Sequence, residues 1–600
     1  MAKNSQNVTM VDGSLDFSNG VNGYSVTTVQ SDRNTNGLKR NQIAWMDNAT
    51  VRGGGITQRT GWQNLGSLPD AATGLYQGKF LYQPDNADPY FIYVIAGIVW
   101  AVDPDDTASA VNLSLAYPGM KMPATVERVY FVQAEQFLVI QAGDAITLPL
   151  FWDGTKLRRS KGIINTAVPP GTPGVNEIPY ATAMDYYMGR IWYAQGRNYS
   201  AGDIVDGHSG TLAYGFRDAV LNVTENPLCV GGDGFAVPTT AGNIRAIYHT
   251  ANINVTLGQG QLYIATRRQI YSLNVPVNRS DWIAADASKA PLQVVAQINN
   301  GFVNDRSIVH VNGDVFGQSL EPSIRSFTIS VRNFQQWGNT PISINENRIL
   351  QFNDRSLLRF GSGIEFDNRM IQTCLPFVTP VGVAHKALIP LNFDVISTLD
   401  TQLPPVWEGM WEGMDVLELA TGDFSGRQRA FATVWSEKFK NIQIWEITNS
   451  SRFEDVDNRV EWYVEFPAFT WGDEFAMKKL VSAELWLDKI FGQVNYFMDY
   501  RPDGDPCWYP WHAWDLCTAR DSCEDVHNPV CVYPRTLRES FRQTISLPVP
   551  PNVCESVSGR PTNIGYQFQC RLRIKGWCRI RGLLLKAEHV ESKFFGDMVC

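Results

Sequence analysis

Charge is scarce in this chain. Charged residues make up 18% of its 600 residues, against roughly 25% in an ordinary soluble protein. What charge there is leans acidic, with a formal net charge of −9 and a pI of about 5.4. Proteins that grip nucleic acid neutralise phosphates with clustered Lys and Arg, and no such cluster dominates here. The densest basic stretch, Arg571, Arg573, Lys575, Arg579 and Arg581, alternates with apolar residues. That spacing reads as a strand with one solvated face rather than as a DNA site.

Long apolar runs are missing too. The opening Met-Ala-Lys-Asn-Ser-Gln is polar and lacks the apolar core of a secretory signal. The stretch from Tyr90 to Val102 is too short and too Gly-interrupted to span a bilayer. The expectation is a soluble chain made in the cytosol, with no membrane insertion. On that view the Asn-x-Ser/Thr triplets at Asn7, Asn112, Asn222 and Asn254 are chance matches.

Catalytic constellations are also lacking. There is no Gly-x-Ser-x-Gly elbow, and the seven His (208, 249, 310, 385, 512, 527, 589) show no partner spacing. Gly53-Gly-Gly lacks the Lys of a phosphate-binding loop and reads as a turn. Pairs such as Glu408/Glu412 or Glu454/Asp457 are available for acid–base work. Solvated turn carboxylates are far commoner, and the Ser-x-Asp-x-Gly-x-Thr-Trp box of sialidases is absent. The expectation is a protein that is not an enzyme and carries no cofactor and no metal.

Cysteine is rare until the end. Cys229 and Cys374 stand alone, while Cys507, Cys517, Cys523, Cys531, Cys554, Cys570, Cys578 and Cys600 crowd the last hundred residues. Three readings stay open for this group. One is a disulfide cluster among Cys507, Cys517, Cys523, Cys531, Cys554, Cys570 and Cys578 that staples the loop 501–560. The second is zinc held by Cys507, Cys517, Cys523 and Cys531 with His512 and His527; the spacings of nine, five and seven intervening residues give no Cys-x-x-Cys knuckle. The third is buried free thiols.

Aromatics, at 12%, together with 49 Gly and 32 Pro, describe a strand-and-turn protein. From Gly78 to Thr448 short runs of Val, Ile, Leu, Phe and Tyr alternate with Gly, Asn, Asp or Pro turns. Examples are Gly78-Lys-Phe-Leu-Tyr, Gln136-Phe-Leu-Val-Ile-Gln, Gly189-Arg-Ile-Trp-Tyr-Ala, Gly260-Gln-Leu-Tyr-Ile-Ala, Gly313-Asp-Val-Phe-Gly and Asp367-Asn-Arg-Met-Ile-Gln-Thr. The units recur roughly every 40–60 residues, the size of a four-stranded propeller blade. A Gly turn followed by Leu or Ile and then Tyr or Trp suits inner blade strands. This gives an all-β fold with a β-propeller-like body of six or seven blades; a β-sandwich array would read similarly. Val406 to Leu419, with Trp407-Glu-Gly-Met and Trp411-Glu-Gly-Met, is either a helix stacking both Trp on one face or a loop with exposed aromatics. From Arg459 onward period-two alternation predicts a C-terminal β-sandwich-like, Cys-rich unit. The division is then 1–62, an extended N-terminal arm; 63–458, the propeller-like body; and 459–600, the C-terminal β unit.

Two stretches carry a resemblance. The first is Phe17-Ser-Asn-Gly-Val-Asn-Gly, leading into Asn41-Gln-Ile-Ala-Trp-Met-Asp-Asn-Ala-Thr-Val-Arg-Gly-Gly-Gly-Ile-Thr-Gln-Arg-Thr-Gly-Trp. It resembles the opening of tail nozzle (tail tubular or hub) proteins of short-tailed bacteriophages, with Thr60 where that family has Pro. The second, Ser482-Ala-Glu-Leu-Trp-Leu-Asp with Tyr500-Arg-Pro-Asp-Gly-Asp-Pro-Cys-Trp-Tyr-Pro-Trp-His-Ala-Trp, is similar to late segments of such proteins. The spans that hold them, 17–62 and 482–514, cover about an eighth of the chain. The resemblance implies a structural virion protein of the tail, assembled in the host cytoplasm as a homo-hexameric ring. Its partners would be a tail adaptor protein and tail fibres, and genomic DNA would pass through without specific binding. An acidic balance suits a conduit, because carboxylates repel phosphates. Two other readings remain: a receptor- or glycan-binding propeller, with Trp407, Trp411, Trp508 and Trp511 stacking on sugars, and a propeller glycoside hydrolase.

Overall fold

The fold is given by a computed structural model. It describes residues 9–23, 38, 41–84, 87–164, 176–204, 218–230, 234–251, 259–276, 278–286, 297–298, 300–332, 341–394, 404–424, 426–447, 460–503, 505–517, 538–547 and 561–590. Strand accounts for 54% and helix for 9%, so the chain is all-β as its turn-punctuated sequence predicts.

Five small antiparallel sheets follow one another along the chain. The first blade is Tyr76–Tyr82, Tyr90–Ile95, Ile98–Val102 and Val111–Asn112; the second is Tyr130–Ala134, Phe137–Gln141, Leu150–Trp152 and Leu157–Arg159. The third is Ala183–Tyr187, Arg190–Gln195, Asn198–Ala201 and Phe235–Ala236; the fourth is Ile244–Ala251, Gln259–Thr266, Ile270–Leu273 and Gln297–Ile298. The fifth has three strands, Val309–Val311, Asp314–Gln318 and Ile324–Ser326. The first strands of the first four blades touch in succession, as the inner strands of a propeller do. Blades pack face to face through largely apolar strands such as Phe137-Leu-Val-Ile-Gln, every residue of which is buried, with the Gln141 amide hydrogen-bonded to the Pro179 carbonyl and Ala181 N. Each such Val, Ile, Leu or Phe contributes about 1.5–3 kcal/mol on burial.

Two expectations need correction here. The body has five blades, not six or seven. Moreover, Gly189-Arg-Ile-Trp-Tyr-Ala and Gly313-Asp-Val-Phe-Gly open second strands, while the inner strands are the ones before each turn. The reason is the hairpin itself: Met188-Gly189 and Asn312-Gly313 both sit at positive φ, the two-residue turn that matches strand twist.

An eight-stranded sheet lies between the fifth blade and the first. Its order runs from Gly363–Phe366 through Arg369–Thr379, Gly382–Asn392, Trp411–Phe424, Arg427–Ser436 and Asn441–Ile447 to Trp62–Ser67, with Val406–Trp407 on one side. Gly363–Phe366 also touches Trp411–Phe424 and Arg427–Ser436, so the sheet curls into a nearly closed barrel. Its interior holds Ile364, Phe366, Leu388, Val416, Ala430 and Ala432. Its outer face packs on the first blade through Leu417, Phe424, Phe431 and Ile444.

The third unit is a ten-stranded sheet built on two very long partners, Lys478–Pro502 and Phe568–His589. The second of these alternates buried positions with partly or fully exposed ones along most of its length, as its sequence predicts. Residues 1–62 do not stand apart as an arm among the described residues. Thr9–Ser14, Trp45–Asp47, Ala49–Arg52 and Gly55–Gln58 all belong to this sheet, and Thr9–Ser14 pairs with Leu583 to Glu588. The physical cause is apolar: Phe17, Ile43, Trp45, Met46, Val51 and Ile56 are buried in the same core as Leu485, Tyr496, Leu572 and Leu585.

The Trp407/Trp411 segment is neither a helix nor an exposed loop. It forms the ends of two strands, and both indoles are buried. Trp407 Nε1 donates to the Ile342 carbonyl at 2.8 Å and Trp411 Nε1 to the Ala49 carbonyl at 3.0 Å. Gly409 between them has φ +71°, and a Cβ there would lie 2.1 Å from the Met46 carbonyl oxygen. Only Gly allows that approach.

Candidate functional site

The sequence-selected residues scatter. Glu408 is fully buried and Glu412 exposed, so they form no facing pair; Glu454 and Asp457 lie outside the described residues. Glu408 instead joins three segments. It accepts from Thr50 Oγ1 at 2.7 Å, Val51 N at 2.8 Å, Asn392 Nδ2 at 2.6 Å and Arg369 Nε at 3.2 Å. A buried carboxylate with all these donors is structural, and it fastens the N-terminal strands to the barrel.

Of the Trp residues named for sugar stacking, Trp407, Trp411 and Trp511 are buried. Trp508 is half-buried, with the Arg501 and Arg571 guanidinium groups 4.4 and 4.6 Å from its ring centre. Its ring is occupied by cations.

Cys507, Cys570 and Cys578 carry free thiols; the last two are buried in the ten-stranded sheet's core, where burial pushes both thiols up. Cys523, Cys531, Cys554 and His527, and the side chain of Cys517, lie outside the described residues. His512 contacts Tyr496 and Trp514 rather than a cysteine, and burial lowers its pKa. Among the described residues no group of three or more His, Cys, Asp or Glu is placed to hold a metal.

Two places carry more chemistry than the sequence disclosed. The first is a cleft of about 800 Å³ between the barrel and the ten-stranded sheet. Asp47, Glu412, Glu461, Trp445, Tyr463 and Arg573 are among the residues lining it. Asp47 accepts from Trp45 Nε1 at 2.6 Å, yet burial pushes its carboxyl up to about 7, with Glu412 and Glu465 adding to the rise. A carboxyl that keeps its proton near neutrality, beside partly exposed aromatic rings, can donate a hydrogen bond to a polar ligand.

The second is at the propeller axis, where the first strands of the third, fourth and fifth blades bring Asp185, His249 and His310 together. His249 Nδ1 lies 2.8 Å from Asp185 Oδ2, and the two imidazoles are 6.4 Å apart. The hydrogen bond that His249 Nδ1 donates to the Asp185 carboxylate raises His249. Burial, and then the neighbouring His249, lower His310. These residues are far apart in sequence, so no spacing rule finds them; only the stacking of inner strands does. The pair can move a proton, and the Tyr187 ring lies 5.6 Å from the His249 ring.

No protein-family model matches the sequence, and no curated protein matches it. Solved structures match in shape at low similarity. The BBS1N domain in complex with ARL6DN is 10% identical with a TM-score of 0.35, covering 65% of this chain and 98% of that one. The AfRom2 CNH domain is 8% identical with a TM-score of 0.31, covering 65% and 99%. A Trypanosoma rangeli sialidase is 8% identical with a TM-score of 0.23, covering 90% and 94%. The propeller-like fold therefore stands on the sheet order and blade contacts described above.

Proposed function

We propose that the chain is a structural, non-catalytic subunit of a bacteriophage tail nozzle, which extends the tail channel and gates it for genome ejection. The supporting observation is where the two resembling stretches fall. Asn41 to Trp62 and Ser482 to Trp514 are more than four hundred residues apart in sequence. In the fold, strands from both belong to one ten-stranded sheet, meeting through Phe568–His589, which pairs with Gly55–Gln58 on one side and Lys478–Pro502 on the other. The resemblance thus concerns one structural unit rather than two unrelated fragments. In this reading six copies form a ring in the virion, docked on a tail adaptor, with tail fibres alongside and DNA passing without specific binding. Negative-stain images and native mass of the purified full chain, alone and with tail adaptor, test it. A six-fold ring with a central hole is expected. A protein that stays monomeric in both conditions overturns the proposal.

The cleft favours a second reading, a receptor- or glycan-binding propeller. Trp445 and Tyr463 are half-buried there beside Asp47. Binding of the full chain on a glycan array, lost in Trp445→Ala while the chain stays monomeric, would replace the first reading with this one.

A further inference from the structure

The end of the propeller axis opposite His249 gathers arginines. Arg128 stands two residues before the first strand of the second blade, and Arg245 lies in the first strand of the fourth. Arg267 follows that blade's second strand, and Arg359 is in the short turn before the barrel. Arg128 Nη1 donates to the Arg359 carbonyl at 2.8 Å, and its guanidinium lies 4.8 Å from the Tyr130 ring centre. Among the described residues two carboxylates stand against these four cations: Asp305 pairs with Arg128 and Glu127 with Arg359. The side chains of Arg245, half-buried, and of Arg267, exposed, make no hydrogen bond or ion pair among the described residues. The buried Nε atoms of Arg128 and Arg245 have no hydrogen-bond partner. Burial, followed by Arg267, Arg359 and Arg128 in company with Tyr130's opposing effect, lowers the Arg245 guanidinium from its ordinary value.

Like charges do not converge on a half-buried place without a counter-charge, least of all in a chain of net charge −9. We infer that this mouth, formed by Arg128, Arg245, Arg267 and Arg359, is a binding site for the phosphoryl group of a small molecule. Guanidinium forks from four segments suit a tetrahedral dianion, which offers several oxygens at once. The two carboxylates present engage only Arg128 and Arg359, and leave Arg245 and Arg267 to the ligand. The site is independent of the tail reading, since it lies in the blades and the turn that leads into the barrel, not in the ten-stranded sheet.

Calorimetric titration of the full chain with pyrophosphate tests it, with sodium chloride matched in ionic strength as reference and an unphosphorylated DNA oligonucleotide as a separate arm. One pyrophosphate per chain is expected, bound at least tenfold more weakly by Arg245→Gln and by the more exposed variant Arg267→Gln. Arg573→Gln, on the ten-stranded sheet, should bind as the wild type does. Thermal unfolding confirms that each variant is folded, and pyrophosphate should raise the melting temperature of the wild type and of Arg573→Gln but not of the other two. Binding no stronger than the chloride reference, equal binding by Arg245→Gln and Arg267→Gln, or tighter binding of the oligonucleotide than of pyrophosphate would each overturn the inference.

Discussion

Asp47 shows how a single side chain acquires a property from its surroundings. In the sequence it is one acidic residue among 60 Asp and Glu. In the fold its carboxyl is wedged between Trp45 and two further acids, and burial carries it up to about 7. The folded state therefore keeps a proton that the unfolded chain releases near pH 4, where an ordinary Asp titrates. Between about pH 4 and pH 7 the folded form binds more protons, so this group makes stability fall as pH rises; the loss levels off above pH 7. Asp47→Asn keeps an acceptor for Trp45 and removes the titration. It should match the wild type near pH 4 and exceed it at pH 8 by on the order of 1–2 kcal/mol, the full shift being reduced by partial solvent access. Urea unfolding at the two pH values measures the difference; equal curves at pH 8 would show that Asp47 is ionised in the folded state at no cost.

At the level of elements, the hairpins carry the regularity of the blades and of the barrel's first turn. The turns at Ala96-Gly97, Met188-Gly189, Asn312-Gly313 and Asp367-Asn368 all place two residues at positive φ. Three of the four close on Gly. Gly313 has φ +80° and open space where a Cβ would stand, whereas a Cβ at Gly97 would meet the Met122 carbonyl oxygen at 2.1 Å. Gly313→Ala should thus cost only the backbone penalty, about 1–2 kcal/mol. Gly97→Ala adds a clash with main chain and should cost clearly more. Chemical denaturation of the two variants side by side checks the order, and a reversal would mean that the turn at 96–97 relaxes freely. Strand identity in these hairpins was legible from the alternation of apolar runs with Gly and Asn. Which strand faced the axis was not, because inner and second strands are equally apolar and differ only in what packs on them.

For the whole molecule, the decisive feature is that the chain returns to its beginning. Phe17, Ile43, Trp45, Met46, Val51 and Ile56 are buried in the ten-stranded sheet's core. At about 1.5–3 kcal/mol each, their loss is comparable to the roughly 5–15 kcal/mol that stabilises a typical domain. A chain beginning at residue 63 should therefore fail to fold, appearing as aggregate in size-exclusion chromatography. Co-expression with a separate 1–62 polypeptide should restore a soluble complex; a soluble, folded 63–600 fragment without it would show that the N-terminal strands are dispensable. What the sequence determined by itself is the strand class, the turn positions and the one-sided face of Phe568–His589, because side-chain period and turn chemistry are local. It also carried the two stretches on which the tail reading rests. Tertiary structure alone decided the rest: five blades beside a barrel, Glu408 as a buried fastening rather than an acid, the Asp185–His249–His310 cluster, and the arginine mouth. Each depends on residues brought together across long sequence separations, where burial and neighbouring charge, absent from any local pattern, set what a side chain does.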